Sequence, residues 1–489
     1  MRAKLKELTK DTAIYGISTI IGRFLGFLLT PFYTNVLLPG DYGIFSNVYA
    51  YIAFINILFI YGMDAAYMKF ASVSEEVDRK RKVFSTSYLF VAGTSLLFCL
   101  VLYFVMNPMK SLMELPEKFS SIYFYFIGIL LLDTLALIPF ADLRLKRKAV
   151  KFSTIKFGNI LINLTLNIVL VLKYKMGIEA IFIANIVASL FSFVMLLPEI
   201  IKSLNWNIDK EILNKLIKFG LPYLPGSVAA MIVQVIDRPV VLALTDEKTL
   251  GIYQANYKLG IFMMLFVSMF QQAWQPFFLN NAKEKNAKEL FSKILTLFVL
   301  MSSLIWIFLT LFVEDFARFE FLPGKSIIGK DYLSGIIIVP IILLGYLFNG
   351  MYYNFQAGIY IEEKTKYFPY VTFSGALVNV AVNMLLIPIM GIMGAAIATL
   401  ASYIIMAGGL YYFSQKYYRI EYESAKIARL LSLVLISCGV YYYLYFESGI
   451  TLLQKFVFLL VFLILLIFLK IIQKDELLKI AKIFLRIKR

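Results

Sequence analysis

Eight side chains have the types and positions to do chemistry inside an apolar protein. Three are bases, Arg23, Arg238 and Lys258; three are acids, Asp64, Asp133 and Asp237; two are amides, Gln271 and Gln272, in a run that extends to Gln275. All lie within long apolar stretches, where an ionisable group is costly and therefore faces a bundle interior or a wet cavity. Arg offers a planar fork that matches phosphate and Lys a compact point charge, so the bases suit an anionic headgroup. The acids are the candidates for holding a coupling proton or sodium ion. The plain alternative for each charge is ion pairing or snorkelling, and Lys69, close to the end of its apolar run, is read as snorkelling. Asp237 and Arg238 are adjacent and so point about 100° apart on a helix, which places them poorly to pair with each other. Arg23 and Lys258 have no acid nearby in sequence and sit deep, Lys258 about 13 Å into its span at 1.5 Å per residue.

The elements that carry these residues are read from hydropathy. The chain has 489 residues, 60% of them hydrophobic, with a mean hydropathy of +0.78. Repeated apolar stretches, each long enough to cross a ~30 Å hydrocarbon core, make it an all-α polytopic membrane protein with about fourteen transmembrane helices. The spans are expected near 11–38, 42–71, 83–106, 119–140, 152–173 and 177–200, then 216–244, 249–278, 289–313, 333–360, 367–389 and 392–415, with two more near 426–446 and 450–472. The segment Ser203–Lys215 reads as partly interfacial, because Ile208, Ile212, Leu213 and Leu216 share a helical face. Pro31, Pro222, Pro225, Pro239, Pro340 and Pro369 are expected to kink or interrupt helices. Residues 473–489 read as a basic amphipathic helix lying on anionic inner-leaflet lipids.

The net charge of +17 would suggest nucleic acid in a soluble protein. Here the bases fall in alternate loops, Arg79–Lys82, Arg144–Lys148, Lys202–Lys218, Lys283–Lys293 and Lys416–Arg429 among them. That is the positive-inside pattern, so topology accounts for the charge and no nucleic-acid partner is expected. Both termini are then cytoplasmic and the protein is a multi-pass resident of a prokaryotic cytoplasmic (inner) membrane.

The sequence also repeats itself. Pro31 and Gly43 are twelve residues apart, as are Pro239 and Gly251, and Gly43–Tyr49 aligns with Gly251–Tyr257. Asn163-x-x-x-Asn167 matches Asn379-x-x-x-Asn383, and Met176-Gly177-Ile178 matches Met390-Gly391-Ile392. Six spans per repeat is an even number, so both halves enter the membrane in the same direction, with a binding site expected between them. The organisation is a six-helix lobe over 1–202, a second over 203–418, extra helices over 419–472 and the tail over 473–489. The paired asparagines read as glue between helices.

Histidine is absent, which removes His-based acid–base catalysis and His metal sites; Cys99 and Cys438 lie in apolar helices, away from disulfide or zinc chemistry. No glycine-rich phosphate loop and no soluble domain is found, so no cofactor is expected and transport is preferred to catalysis. The run Gly251–Leu279, with GKDYLSGIIIVPIILLGYLFNGMYYN and MGIMGAAIATLASY, resembles Wzx-type oligosaccharide flippases. These are polysaccharide biosynthesis proteins of the multidrug/oligosaccharidyl-lipid/polysaccharide exporter (MOP) superfamily.

The resemblance covers the first twelve spans. It implies two lobes facing each other in a V and alternating access that moves undecaprenyl-pyrophosphate-linked sugar repeat units from the cytoplasmic to the external leaflet, for lipopolysaccharide or capsule. It further implies an ion gradient as the drive, a basic central cavity with Arg23, Arg238 and Lys258 in its wall, and polymerase and export machinery as partners. The alternatives are a lipid II flippase, a multidrug and toxin extrusion-type exporter, which would want acids in its cavity, and a membrane-embedded glycan polymerase or ligase, which would want a large external loop.

Overall fold

The computed structural model describes residues 26–73, 76–447 and 449–471, and among these the chain is a bundle of long helices with one two-stranded hairpin. Arg23, the N-terminal basic head and the tail 473–489 lie outside the described residues. Among the described residues, eleven helices are long and apolar enough to span a membrane. Three further segments complete the fourteen: the helical stretch 26–34, a helix interrupted at Lys258–Gly260, and the shorter Leu452–Phe468.

In chain order α1 is 26–34, α2 Pro39–Val73, α3 Val77–Phe104, α4 Ile122–Leu145, α5 Ala149–Leu172 and α6 Glu179–Ser203. The second half opens with α7, built from Lys210–Gly220, Leu224–Val235 and Asp237–Leu244, and α8, built from Glu247–Tyr257 and Ile261–Asn281. It continues with α9 (Ala287–Arg318), α10 (Lys330–Ile361), α11 (Tyr367–Met390) and α12 (Ile392–Tyr417), and closes with α13 (Ser424–Glu447) and α14 (Leu452–Phe468). Strands β1 (Glu320–Leu322) and β2 (Lys325–Ser326) form an antiparallel hairpin between α9 and α10, turned at Pro323-Gly324 with Gly324 at φ +74°.

Some of the expected proline breaks are present, whereas Pro31 lies within the continuous helix 26–34 and Pro369 sits in the first turn of α11 without interrupting it. Pro222 lies within a tight 3-10 turn inside α7 and Pro225 just after it, and Pro340 starts the regular part of α10 after a 3-10 stretch over Lys330–Ile338. A break without proline lies in α2, where Tyr61 and Gly62 both adopt positive φ. The two repeat-related glycines Gly177 and Gly391 also turn the chain at positive φ, +60° and +55°.

The two ends of the bundle are packed differently. At the end carrying the hairpin, one apolar core runs through both lobes, from Tyr42 and Phe126 to Tyr253 and Trp306, and it continues down the second half to Ile427 and Ile471. At the opposite, basic end the core is split. One cluster joins Met63, Phe84, Leu143 and Leu196 of the first lobe, and a separate one joins Trp274, Phe291 and Tyr418 of the second. Leu216, Ile212 and Ile217 of the segment Lys210–Gly220 pack into the first-lobe cluster, so this apolar face is covered by protein.

Candidate functional site

Where the lobes meet at the hairpin end, the repeat becomes a symmetric contact. A Cβ on Gly43 would lie 2.0 Å from the Glu247 carbonyl oxygen, and one on Gly251 would lie 1.8 Å from that of Pro39. Each glycine thus abuts the carbonyl four residues before its counterpart, the reciprocal contact that a two-fold axis generates. Small residues let backbones approach this closely. The contact is backed by the α9–α10 connection, which reaches across to the α1–α2 loop. Asn35 Nδ2 donates to the Ser326 carbonyl at 2.6 Å, Gly329 N–H donates to Thr34 Oγ1 at 3.1 Å, and the Tyr332 hydroxyl donates to the Leu37 carbonyl at 2.9 Å.

Beneath this closure is a cavity of about 680 Å³, a size that suits a small organic ligand. Its walls come from α7 (Gln234, Arg238), α8 (Gln254, Lys258, Gln271), α10, α11 (Thr372) and α12 (Tyr403, Met406), with Gly26 and Phe27 of α1 from the first lobe. Arg238, Lys258 and Gln271 therefore share one space. The Lys258 ammonium sits at the 3-10 break of α8, 5.4 Å from the Tyr42 ring and 5.8 Å from the Phe45 ring, both on α2. It is held across the lobe interface by cation–π attraction. Among the described residues no carboxylate lines the cavity. Two donors in its wall are buried without a partner, Arg238 Nε and Gln254 Nε2. A buried unpaired donor costs about 1–3 kcal/mol, which a ligand acceptor would recover.

The neighbour of Arg238 goes the other way. Asp237 is 4% exposed, accepts a hydrogen bond from the Tyr253 hydroxyl at 2.7 Å and does not line the cavity. The helix Asp237–Leu244 packs on α11, where Asn383 Nδ2 donates to Asn379 Oδ1 at 2.8 Å while Asn379 Nδ2 and Asn383 Oδ1 stay buried and unpaired. In the first lobe Asn167 repeats the bond to Asn163, and its Oδ1 also accepts from the Tyr33 hydroxyl at 2.8 Å. The repeat puts Val241 at the position of Tyr33, and Val241 has no hydroxyl to offer.

The remaining candidates are dispersed. Gln272, one residue past Gln271, is exposed and is not among the cavity-lining residues, as the 100° step along a helix requires. Asp64 is half-buried at the first turn of Met63–Val73, near the basic end. Asp133 on α4 accepts from Ser189 Oγ at 2.7 Å, next to Asn185, which donates to Tyr49 at 2.6 Å. The three acids thus occupy three separate places. The cavity also holds residues that a search for charges passed over, foremost Tyr346, Asn349, Tyr352, Tyr353 and Gln356 on α10. Their helical spacing is in the sequence, but it does not by itself tell a cavity face from an interfacial aromatic belt.

Comparison with known proteins places this architecture. The model of a family described as "Polysaccharide biosynthesis protein" matches residues 8–282, more than half of the chain. An "uncharacterized membrane protein" of Haemophilus influenzae is 22% identical over 407 residues, covering 76% of this chain and 95% of that protein. Among solved structures, a lipid II flippase MurJ in an inward closed conformation superposes with a TM-score of 0.72 at 18% identity, covering 93% of this chain and 98% of that one. An inward-facing multidrug resistance MATE family transporter of the MOP superfamily gives 0.60 at 11% identity, covering 84% of this chain and 99% of the other. Both likenesses are of fold.

Proposed function

This chain belongs to the polysaccharide biosynthesis protein family, and from that premise we propose that it is a flippase for undecaprenyl-pyrophosphate-linked oligosaccharide repeat units, moving them from the cytoplasmic to the external leaflet. The observation that carries this reading is the cavity: Arg238 and Lys258 face one space with unpaired donors and without a carboxylate. A diphosphate crossing a low-dielectric interior needs compensating charge, and these two bases supply it from α7 and α8. A cation exporter would need acids in that wall. The basic end is cytoplasmic by the positive-inside rule, and the hairpin end, where one core joins both lobes, is the external face. Arg23 would add a third base from α1. Asp237, with the unpaired Asn379 Nδ2 and Asn383 Oδ1 of α11 on the neighbouring helix, is the first candidate for ion coupling, ahead of Asp64 and Asp133.

Removing one base should weaken cargo binding by about 1.5–3 kcal/mol, the range for charged hydrogen bonds. The test is Arg238→Ala and Lys258→Ala in cells, reading protein level, surface glycan and the sidedness of the lipid-linked intermediate. Normal protein level with the intermediate trapped on the cytoplasmic side is the expected result, and normal surface glycan in both variants would refute the assignment. Rescue of cells depleted of their lipid II flippase would instead make lipid II the cargo.

A further inference from the structure

Five residues of α10 line the cavity at positions 346, 349, 352, 353 and 356, the i, i+3, i+6/i+7, i+10 pattern of one helical face. Over ten residues this stripe is about 15 Å long, enough to run along an oligosaccharide rather than a single ring. Its composition is unusual for a helix at membrane depth. Tyr346, Tyr352 and Tyr353 alternate with the amides Asn349 and Gln356, and none carries a charge. Tyr346 is flanked by Tyr257 of α8 and Tyr403 of α12, each with ring centres 6.4 Å away, and Tyr352 and Tyr353 lie 5.5 Å apart. Asn349, Tyr353 and Gln356 are only half-buried, so they present surface to the cavity.

We propose that this α10 stripe is the subsite that reads the sugars of the cargo. The inference rests on the flippase reading above and deepens it. Tyrosine rings offer flat apolar faces to the C–H faces of pyranose rings and a hydroxyl at the edge. An amide side chain both donates and accepts, the pairing that a sugar hydroxyl, itself donor and acceptor, requires. Phosphate needs neither of these and finds its charge elsewhere in the wall. The geometry also gives the stripe a direction. Tyr346 packs beside Tyr257, the residue before Lys258, so the diphosphate belongs at Lys258, before the stripe begins, and the first sugar at the Tyr346–Asn349 end. The distal sugars then extend past Tyr353 toward Gln356 and the basic end.

The test compares two probes on purified full-length protein: polyprenyl diphosphate without sugar, and the lipid-linked oligosaccharide extracted from producing cells that lack this protein. Wild type should bind the glycosylated lipid roughly tenfold more tightly, the worth of one or two hydrogen bonds. Asn349→Ala/Gln356→Ala should erase that preference while binding the bare diphosphate as wild type does. Arg238→Ala should weaken both probes alike. Should the double variant fold poorly, the single variants read the same ratio. Equal loss on both probes, no change on either, or a wild type without preference for the glycosylated lipid overturns the sugar subsite and leaves the flippase reading standing. A wild type that binds neither probe overturns both.

Discussion

At the scale of single residues, one helical step decides what each polar group does. Asp237 and Arg238 are neighbours, yet the acid is spent on Tyr253 and the base on the cavity. Gln271 and Gln272 part in the same way. The Asp237–Tyr253 bond joins α7 to α8 in a buried setting, so Tyr253→Phe should destabilise the protein by about 1–3 kcal/mol, read as a lowered melting temperature in detergent. Asp237→Asn keeps an oxygen for the Tyr253 hydroxyl and should fold normally. If Asp237 holds the coupling ion, transport by this variant should no longer respond to the proton or sodium gradient, and gradient-dependent transport at the wild-type level would assign coupling elsewhere. Charged residues at membrane depth were legible in the sequence because their cost marks them. The tyrosine and amide stripe of α10 was not, because tyrosines in a membrane protein usually belong to the interfacial belts and only the packing of α8, α10 and α12 reveals which face they share.

At the scale of elements, the spans and their repeat were readable because hydropathy and glycine spacing are local properties of the chain. What the sequence left unsaid is where repeated elements touch. Gly43 and Gly251 align in the repeat, and the fold brings these two residues against each other's helix. The break of α2 at Tyr61-Gly62 and that of α8 at Lys258–Gly260 have no proline to announce them. The docking of Lys210–Gly220 on the first-lobe core replaces a membrane interface with protein, since both bury the same apolar face. The glycine contact has a direct test. A methyl group on residue 251 meets backbone oxygen, which cannot rotate away, so Gly251→Ala must part the two helices or strain them by about 1–3 kcal/mol. The expected outcome is a population shifted toward the outward-open state, read as increased labelling from outside of a cysteine introduced at Gly26 in the cavity wall. Unchanged labelling would mean that the gate tolerates the methyl group.

At the scale of the whole molecule, the asymmetry between the ends is what makes transport intelligible. One core is continuous through both lobes at the hairpin end, while at the basic end two further cores are separate and the Lys210–Gly220 segment of α7 docks on the first-lobe one. The flippase function proposed above works by alternating access, in which the hairpin-end contact would have to break in every cycle. Gly40 offers a way to prevent that, because a Cβ built on it would lie 3.8 Å from Glu247 Cβ, a separation that a disulfide spans without backbone movement. The decisive measurement is therefore made on Gly40→Cys/Glu247→Cys, with Cys99 and Cys438 replaced by serine, in cells scored for surface glycan and for the sidedness of the lipid-linked intermediate. Quantitative cross-linking should abolish surface glycan and hold the intermediate on the cytoplasmic side, with reduction restoring both. Full export by the fully cross-linked protein would contradict the account.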